Sequence, residues 1–287
     1  MILSMDIENA KKCIDSQLIK AIYSDYPIDN FHPTRVIQAL KSLIGINIEE
    51  PSRKLIEWGD SYLDNINLLP DDYYKYPINK SKETIVLSDI GNYILQRDQK
   101  KCITELQDLC SVSDGSQIFE YLLEFASIHN KWAIPFIWSG LRTNLFMKSK
   151  YSYHLLVLSV EKLLRQNKNH NHKPMPTIEL YSIIESIKAS ILTRQERIDN
   201  HLNQIIPELN LSETENTVDL INISQKGRVG ILNYLNSLES NQITRELILF
   251  LDACRMVLKD SSNKNKQNMT NILNNVIEKR KYVEKYW

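Results

Sequence analysis

"DIENAKKCIDSQLIKAIY", residues 6–23, carries apolar side chains at Ile7, Ala10, Ile14, Leu18 and Ala21. Steps of three and four place them on one stripe of a helix. The same signature recurs outward from this stretch. In "HPTRVIQALKSLIG" (32–45), Pro33 stands where a first helical residue belongs and Gly45 just past the end. "SRKLIEWGDSYL" (52–63) then puts Leu55, Trp58 and Tyr62 on one face.

Further stripes run through "KETIVLSDIGNYIL" (82–95), "DQKKCITELQDLC" (98–110) and "DGSQIFEYLLEFASI" (114–128). In the last, Asp114 with Gln117 three residues later predicts an N-terminal cap. "KWAIPFIWSGLR" (131–142) predicts a helix from Pro135 with Trp138, Leu141 and Leu145 on one face, and "YSYHLLVLSVEKLLRQ" (151–166) another. Strand-like alternation is nowhere sustained. Seven glycines in 287 residues, against an ordinary share of about 7%, argue against tight hairpins and phosphate-cradling loops. The expected fold class is all-α: an irregular helical bundle or helical-hairpin array, with possible helical subdomains. Hairpins at 33–65, 82–111 and 114–147 have repeat-like lengths, but no internal sequence repeat accompanies them.

The polar break "NKNHNHKPMP" (167–176) is the best boundary, giving an N-terminal subdomain over 1–168 and a C-terminal one over 177–287. The second would begin with a long helix. Leu180, Ile184, Ile187, Ile191, Ile198, Leu202 and Ile205 step by 4, 3, 4, 7, 4 and 3. This seam over 177–206 could serve bundle packing or an oligomer. Final helices are expected at 217–224, 228–239, 242–260 and 266–285.

Composition narrows function. Thirty-five acidic and 35 basic side chains cancel, so the basic signature of a nucleic-acid binder is missing. The uncharged run 132–141 spans about half of the ~20 residues a membrane helix needs. "MILSMDIENAKKC" turns polar too early for a secretory leader, so a cytoplasmic protein is expected. Cys13, Cys102, Cys110 and Cys254 match neither a disulfide framework nor metal-ligand spacing. Cys102 and Cys110 would lie roughly 12 Å apart along one helix.

Nucleotide and catalytic motifs are missing: no G-x-x-x-x-G-K-[ST], no G-x-G-x-x-G, no G-x-S-x-G. Gly227 and Gly230 form a G-x-x-G without neighbouring strands, which reads as a turn between helices. No Glu precedes a His by three residues, as a di-metal bundle would need, so no metal and no cofactor is expected. His170 and His172 stand in a solvated break. His154 and Glu161 share a helix face two turns apart, and His129 follows Glu124 by five, so either histidine is a candidate general base. Arg142 and Trp138, neighbours at i,i+4, could stack and wall an anion pocket; the simpler expectation is core packing with the arginine at its rim. Tyr73, Tyr74 and Tyr76, in the irregular segment 64–81, are candidate partner-binding residues.

The leading expectation is therefore an interaction or scaffold module that binds another protein without catalysis. The alternative is a small-molecule enzyme or ligand-binding bundle with a pocket around residues 129–161 and a histidine base.

Overall fold

The computed structural model describes residues 5–29, 31–70, 73, 86–130, 133–165 and 228–260. The boundary at 168–176, His170 and His172, the 177–206 helix, and the helices expected at 217–224 and 266–285 lie outside these residues, as do Tyr74 and Tyr76.

Among the described residues the fold is all-α, with ten α-helices and no strand or sheet. They are α1 (Ile7–Ile22), α2 (Pro33–Ile44), α3 (Arg53–Leu63), α4 (Ser88–Gln96), α5 (Gln99–Val112), α6 (Ser116–His129), α7 (Ile134–Phe146), α8 (Ser152–Leu164), α9 (Arg228–Ser237) and α10 (Arg245–Asp260). A lone antiparallel bridge joins Ser24 to Leu68. No helix among the described residues is long and apolar enough to cross a membrane.

Local chemistry sets the helix ends. Asp6 caps α1 by accepting from the Asn9 N–H at 2.8 Å, satisfying an otherwise orphaned donor. Pro33 opens α2, and His32 caps it: its Nδ1 accepts from the Thr34 N–H at 3.2 Å. Gly45 ends α2 at φ −69°, an ordinary right-handed value, so its backbone freedom is not used. At α6 the cap differs from the sequence expectation. Asp114 Oδ1 accepts from Ser116 N at 2.9 Å, and Gly115 stands between them at φ +87°. That left-handed conformation favours glycine. A β-carbon there would also meet Ser152 Cβ at 3.0 Å.

Two hydrophobic cores hold these helices. Leu18, Leu40, Leu43, Leu55 and Ile56 from α1–α3 bury together with Ile231, Leu235, Ile248 and Leu251 from α9 and α10. The second core gathers Ile90, Leu106, Phe119, Leu122, Ile137, Leu156 and Val160 from α4–α8, with Ile22 reaching in from α1. Residues 228–260 thus close onto the first three helices, across more than 160 residues of intervening sequence. Helix α2 joins the cores, packing against α1, α3, α7 and α10. It buries residues on every side, including Arg35, Val36, Ile37, Gln38 and Leu40, as a central helix must.

The opening stripe is realised with one exception. Ala10, Ile14, Leu18 and Ala21 are buried, whereas Ile7 is 50% exposed. In α7, Leu141 is buried but Leu145 is 59% exposed, because the last turn of α7 reaches the surface. The chain reverses there through Lys148 and Ser149, both left-handed, with the Ser149 N–H bonded to Asn144 O at 2.9 Å.

Candidate functional site

A cleft of about 350 Å³ opens where α1, the end of α2, the end of α7 and α10 meet. Helix α1 supplies Ile7, Ala10, Lys11 and Ile14, positions that share one face at helical spacing. The last turn of α2 supplies Lys41, Ser42 and Ile44. The turn beyond Gly45 adds Ile48 and Pro51, α7 adds Phe146, and α10 adds Arg255. Four isoleucines dominate the apolar lining, and Ile7 and Ile48 are exposed, by 50% and 63%.

The lining also carries three cationic side chains, Lys11, Lys41 and Arg255. Lys41 Nζ lies 4.3 Å from the centroid of the Phe146 ring, and Lys11 Nζ 5.9 Å. Lys11 is held by Asp15 at 2.7 Å. No carboxylate of a described residue comes within ion-pairing distance of Lys41. Burial pushes its ammonium down to about 8, and the Arg142 and Arg255 charges push the same way against Asp252. Behind it sits an interior ion cluster. Asp252 accepts from Arg142 Nη1 at 2.8 Å and from Arg255 Nε at 2.9 Å. Burial raises the Asp252 carboxyl, but the two guanidinium groups outweigh it and hold it below the usual carboxylate range. Arg142 also donates to Ser42 Oγ. Among the described residues, Lys41, Arg142 and Arg255 thus gather around the one buried carboxylate of Asp252.

The sequence candidates fall in different places. Arg142 is no rim residue: its side chain is 12% exposed, and its partner Asp252 comes from a helix 110 residues away. Its guanidinium lies 6.0 Å from the ring of half-buried Trp138, as the i,i+4 spacing predicts. Neither lines the cleft, although Arg142 braces Ser42, which does. The expected stretch 129–161 contributes a single lining residue, Phe146.

His154 Nε2 lies 2.8 Å from the Tyr23 hydroxyl, with Tyr151 and Tyr153 edge-on around its ring. Burial pushes His154 down to about 4. Glu161 accepts from Gln99 Nε2 at 3.2 Å, and burial raises its carboxyl. The two residues share α8, but their contacts lead to different neighbours. His129 is exposed at the end of α6 against Phe125, ring centroids 4.5 Å apart, and Glu124 is exposed on the same helix. Tyr73 is 58% exposed, its N–H bonded to Pro70 O.

Burial pushes the Cys102 thiol up to about 11 and Cys110 up to about 12, the opposite of what a thiolate nucleophile needs. Cys13, Cys102 and Cys110 are free thiols. Among the described residues no group of three His, Cys, Asp or Glu side chains could hold a metal ion.

Lys41, Lys11, Arg255 and Phe146 escaped the sequence reading. Lys41 stands in the final turn of an apolar helix, an ordinary place for a lysine complementing the helix dipole. Only the arrival of α7 and α10 turns it into part of a cleft. Compared with protein-family models, curated proteins and solved structures, the chain matches none.

Proposed function

We propose that this chain is an interaction module that binds another protein, without catalysis of its own, and that the α1–α2 cleft is its contact surface. The observation that carries this reading is the mouth of the cleft. Ile7 and Ile48 are large apolar side chains exposed by 50% and 63%, and both line an apolar hollow. Apolar surface beside a hollow is where partners anchor. The scattered candidate acids and bases support the non-catalytic half. A histidine that burial pushes down to about 4 and that is tied to a tyrosine is a weak general base.

A small-molecule ligand is the second reading. A volume of about 350 Å³ falls at the lower end of the range for ligand sites.

The test is co-purification with Ile48→Asp. Because Ile48 is 63% exposed, the change leaves the fold intact. The reading expects bound protein to be lost with unchanged melting. Retention of the same partner by the variant would count against it.

A further inference from the structure

We infer that the inner end of the cleft is a carboxylate receptor, in which Lys41 and Arg255 engage an Asp or Glu side chain of an acidic, amphipathic segment of the protein partner. This rests on the reading of the cleft as the contact surface and adds the chemistry that selects the partner.

The charges support it. Around this end stand the ammonium of Lys41 and the guanidinium groups of Arg142 and Arg255, with Asp252 as the carboxylate they share. Asp252 is 4% exposed and accepts hydrogen bonds from both arginines; it acts on Lys41 through its charge and not as an ion-pair partner. Arg255 reaches Asp252 through Nε. Its two terminal nitrogens make no hydrogen bond to a described residue, and Arg255 lines the cleft.

Lys41 rests on the face of Phe146, an attraction worth less than an ion pair with hydrogen bonds. Bringing a carboxylate in would give the ammonium an ion-pair partner that no described residue provides.

The remaining lining fixes the rest of the occupant. Ile7, Ile14, Ile44, Ile48 and Pro51 make up most of the remaining apolar lining, and Ile7 and Ile48 are exposed. An occupant must therefore carry apolar side chains next to its carboxylate. An amphipathic helix with apolar anchors at i and i+3 or i+4 and an acid one turn away has that layout. Exposure of Ile7 and Ile48 favours a macromolecular occupant, whose apolar face would continue over the lip. A free acid would fill the hollow and leave the lip wet.

The receptor can be probed before the partner is known. The isoleucine methyl groups of the full chain are followed by NMR during titration with sodium octanoate, 1-octanol and octyltrimethylammonium. These probes share a chain and differ in charge. Octanoate should perturb the cleft isoleucines and bind about tenfold tighter than octanol, the ratio a single charge-assisted contact gives. The cation should bind weakest. Lys41→Met, which keeps the length of the side chain, should erase the preference while octanol still binds; Lys41→Arg should keep it.

Equal binding of octanoate and octanol, or a preference that survives Lys41→Met, overturns the receptor but leaves the cleft as a contact surface. Failure of all three probes to reach the cleft overturns both. If Lys41→Met does not fold, the order of the three probes on the unaltered chain decides. Native mass spectrometry of the full chain separates the sources of the carboxylate. Release of a long-chain acid from the cleft would assign the site to a free ligand and overturn the partner.

Discussion

The Arg142 guanidinium and the Asp252 carboxylate meet at 2.8 Å with side-chain exposures of 12% and 6%, tying α7 to α10. A pair this buried behaves differently from an exposed one. Removing one member leaves the other desolvated, a loss of several kcal/mol. Arg255 remains as a second partner and softens the loss. Arg142→Leu should therefore cost about 3 kcal/mol, read as a shift of the urea midpoint at constant slope. An exposed rim arginine would give a change of about 0–1 kcal/mol, and that result would remove the pair from the account.

Acid should destabilise the protein well above the carboxylate range. Burial lowers His32 to about 3 and His154 to about 4, from an ordinary 6.5. Between those values and 6.5 the unfolded chain binds protons that the folded chain does not, so stability falls as pH falls below 6.5. The effect of His154 is complete near pH 4 and that of His32 near pH 3. Each histidine contributes about 1 kcal/mol per pH unit within its window. The lowered Asp252 carboxyl adds its loss only below its ordinary 3.8. Melting curves at pH 7.5, 5.5 and 4.5 should show a steady decline, and His154→Phe should flatten part of it. A flat profile down to pH 4.5 would show that neither histidine is held neutral.

Gly59 marks a close approach of α3 to α1 and α2. A β-carbon there would meet Gln17 Oε1 and Leu40 Cδ2, each at 2.7 Å. Gln17 is fixed by hydrogen bonds to Ile56 O and Asp60 Oδ1, and Leu40 is fully buried. Gly59→Ala gains about 1 kcal/mol of helix propensity and loses about 1–3 kcal/mol to overpacking. Denaturant unfolding should show a net loss; a stabilised variant would mean that the helices part freely.

The α5 thiols should be slow to react. With Cys102 buried and both thiols raised, to about 11 and about 12, a thiol reagent at pH 8 should label neither residue in the folded protein and both in urea. Rapid labelling of either under native conditions would place it in a more open setting.

Much of the secondary structure was legible because its signals are local. Apolar stripes, Pro33 at the start of α2 and Pro135 in the first turn of α7 act within a few residues. What the sequence hides is which helices share a core. Ile231 and Leu235 bury with Leu40 rather than with α8, and no spacing records that. Leu145 misled because the stripe in α7 outlasts the burial of the helix.

The cleft is the extreme case. Ile14, Lys41, Phe146 and Arg255 come from four helices, and each has an ordinary reading where it stands. Arg142 drew attention as a charge in an apolar run. Its meaning lay in Asp252, which its neighbours could not supply.

The central claim is that partners are met at the mouth of the α1–α2 cleft, and site-specific photo-crosslinking tests it most directly. A photoreactive residue replaces Ile48 in the intact chain, with control positions at Ile128 and Val112, which are exposed by 70% and 67% on other helices. The account predicts a discrete protein adduct from position 48 that Lys41→Met weakens, and none from positions 128 and 112. An adduct from either control position, with position 48 silent, would place the contact surface elsewhere and contradict the account.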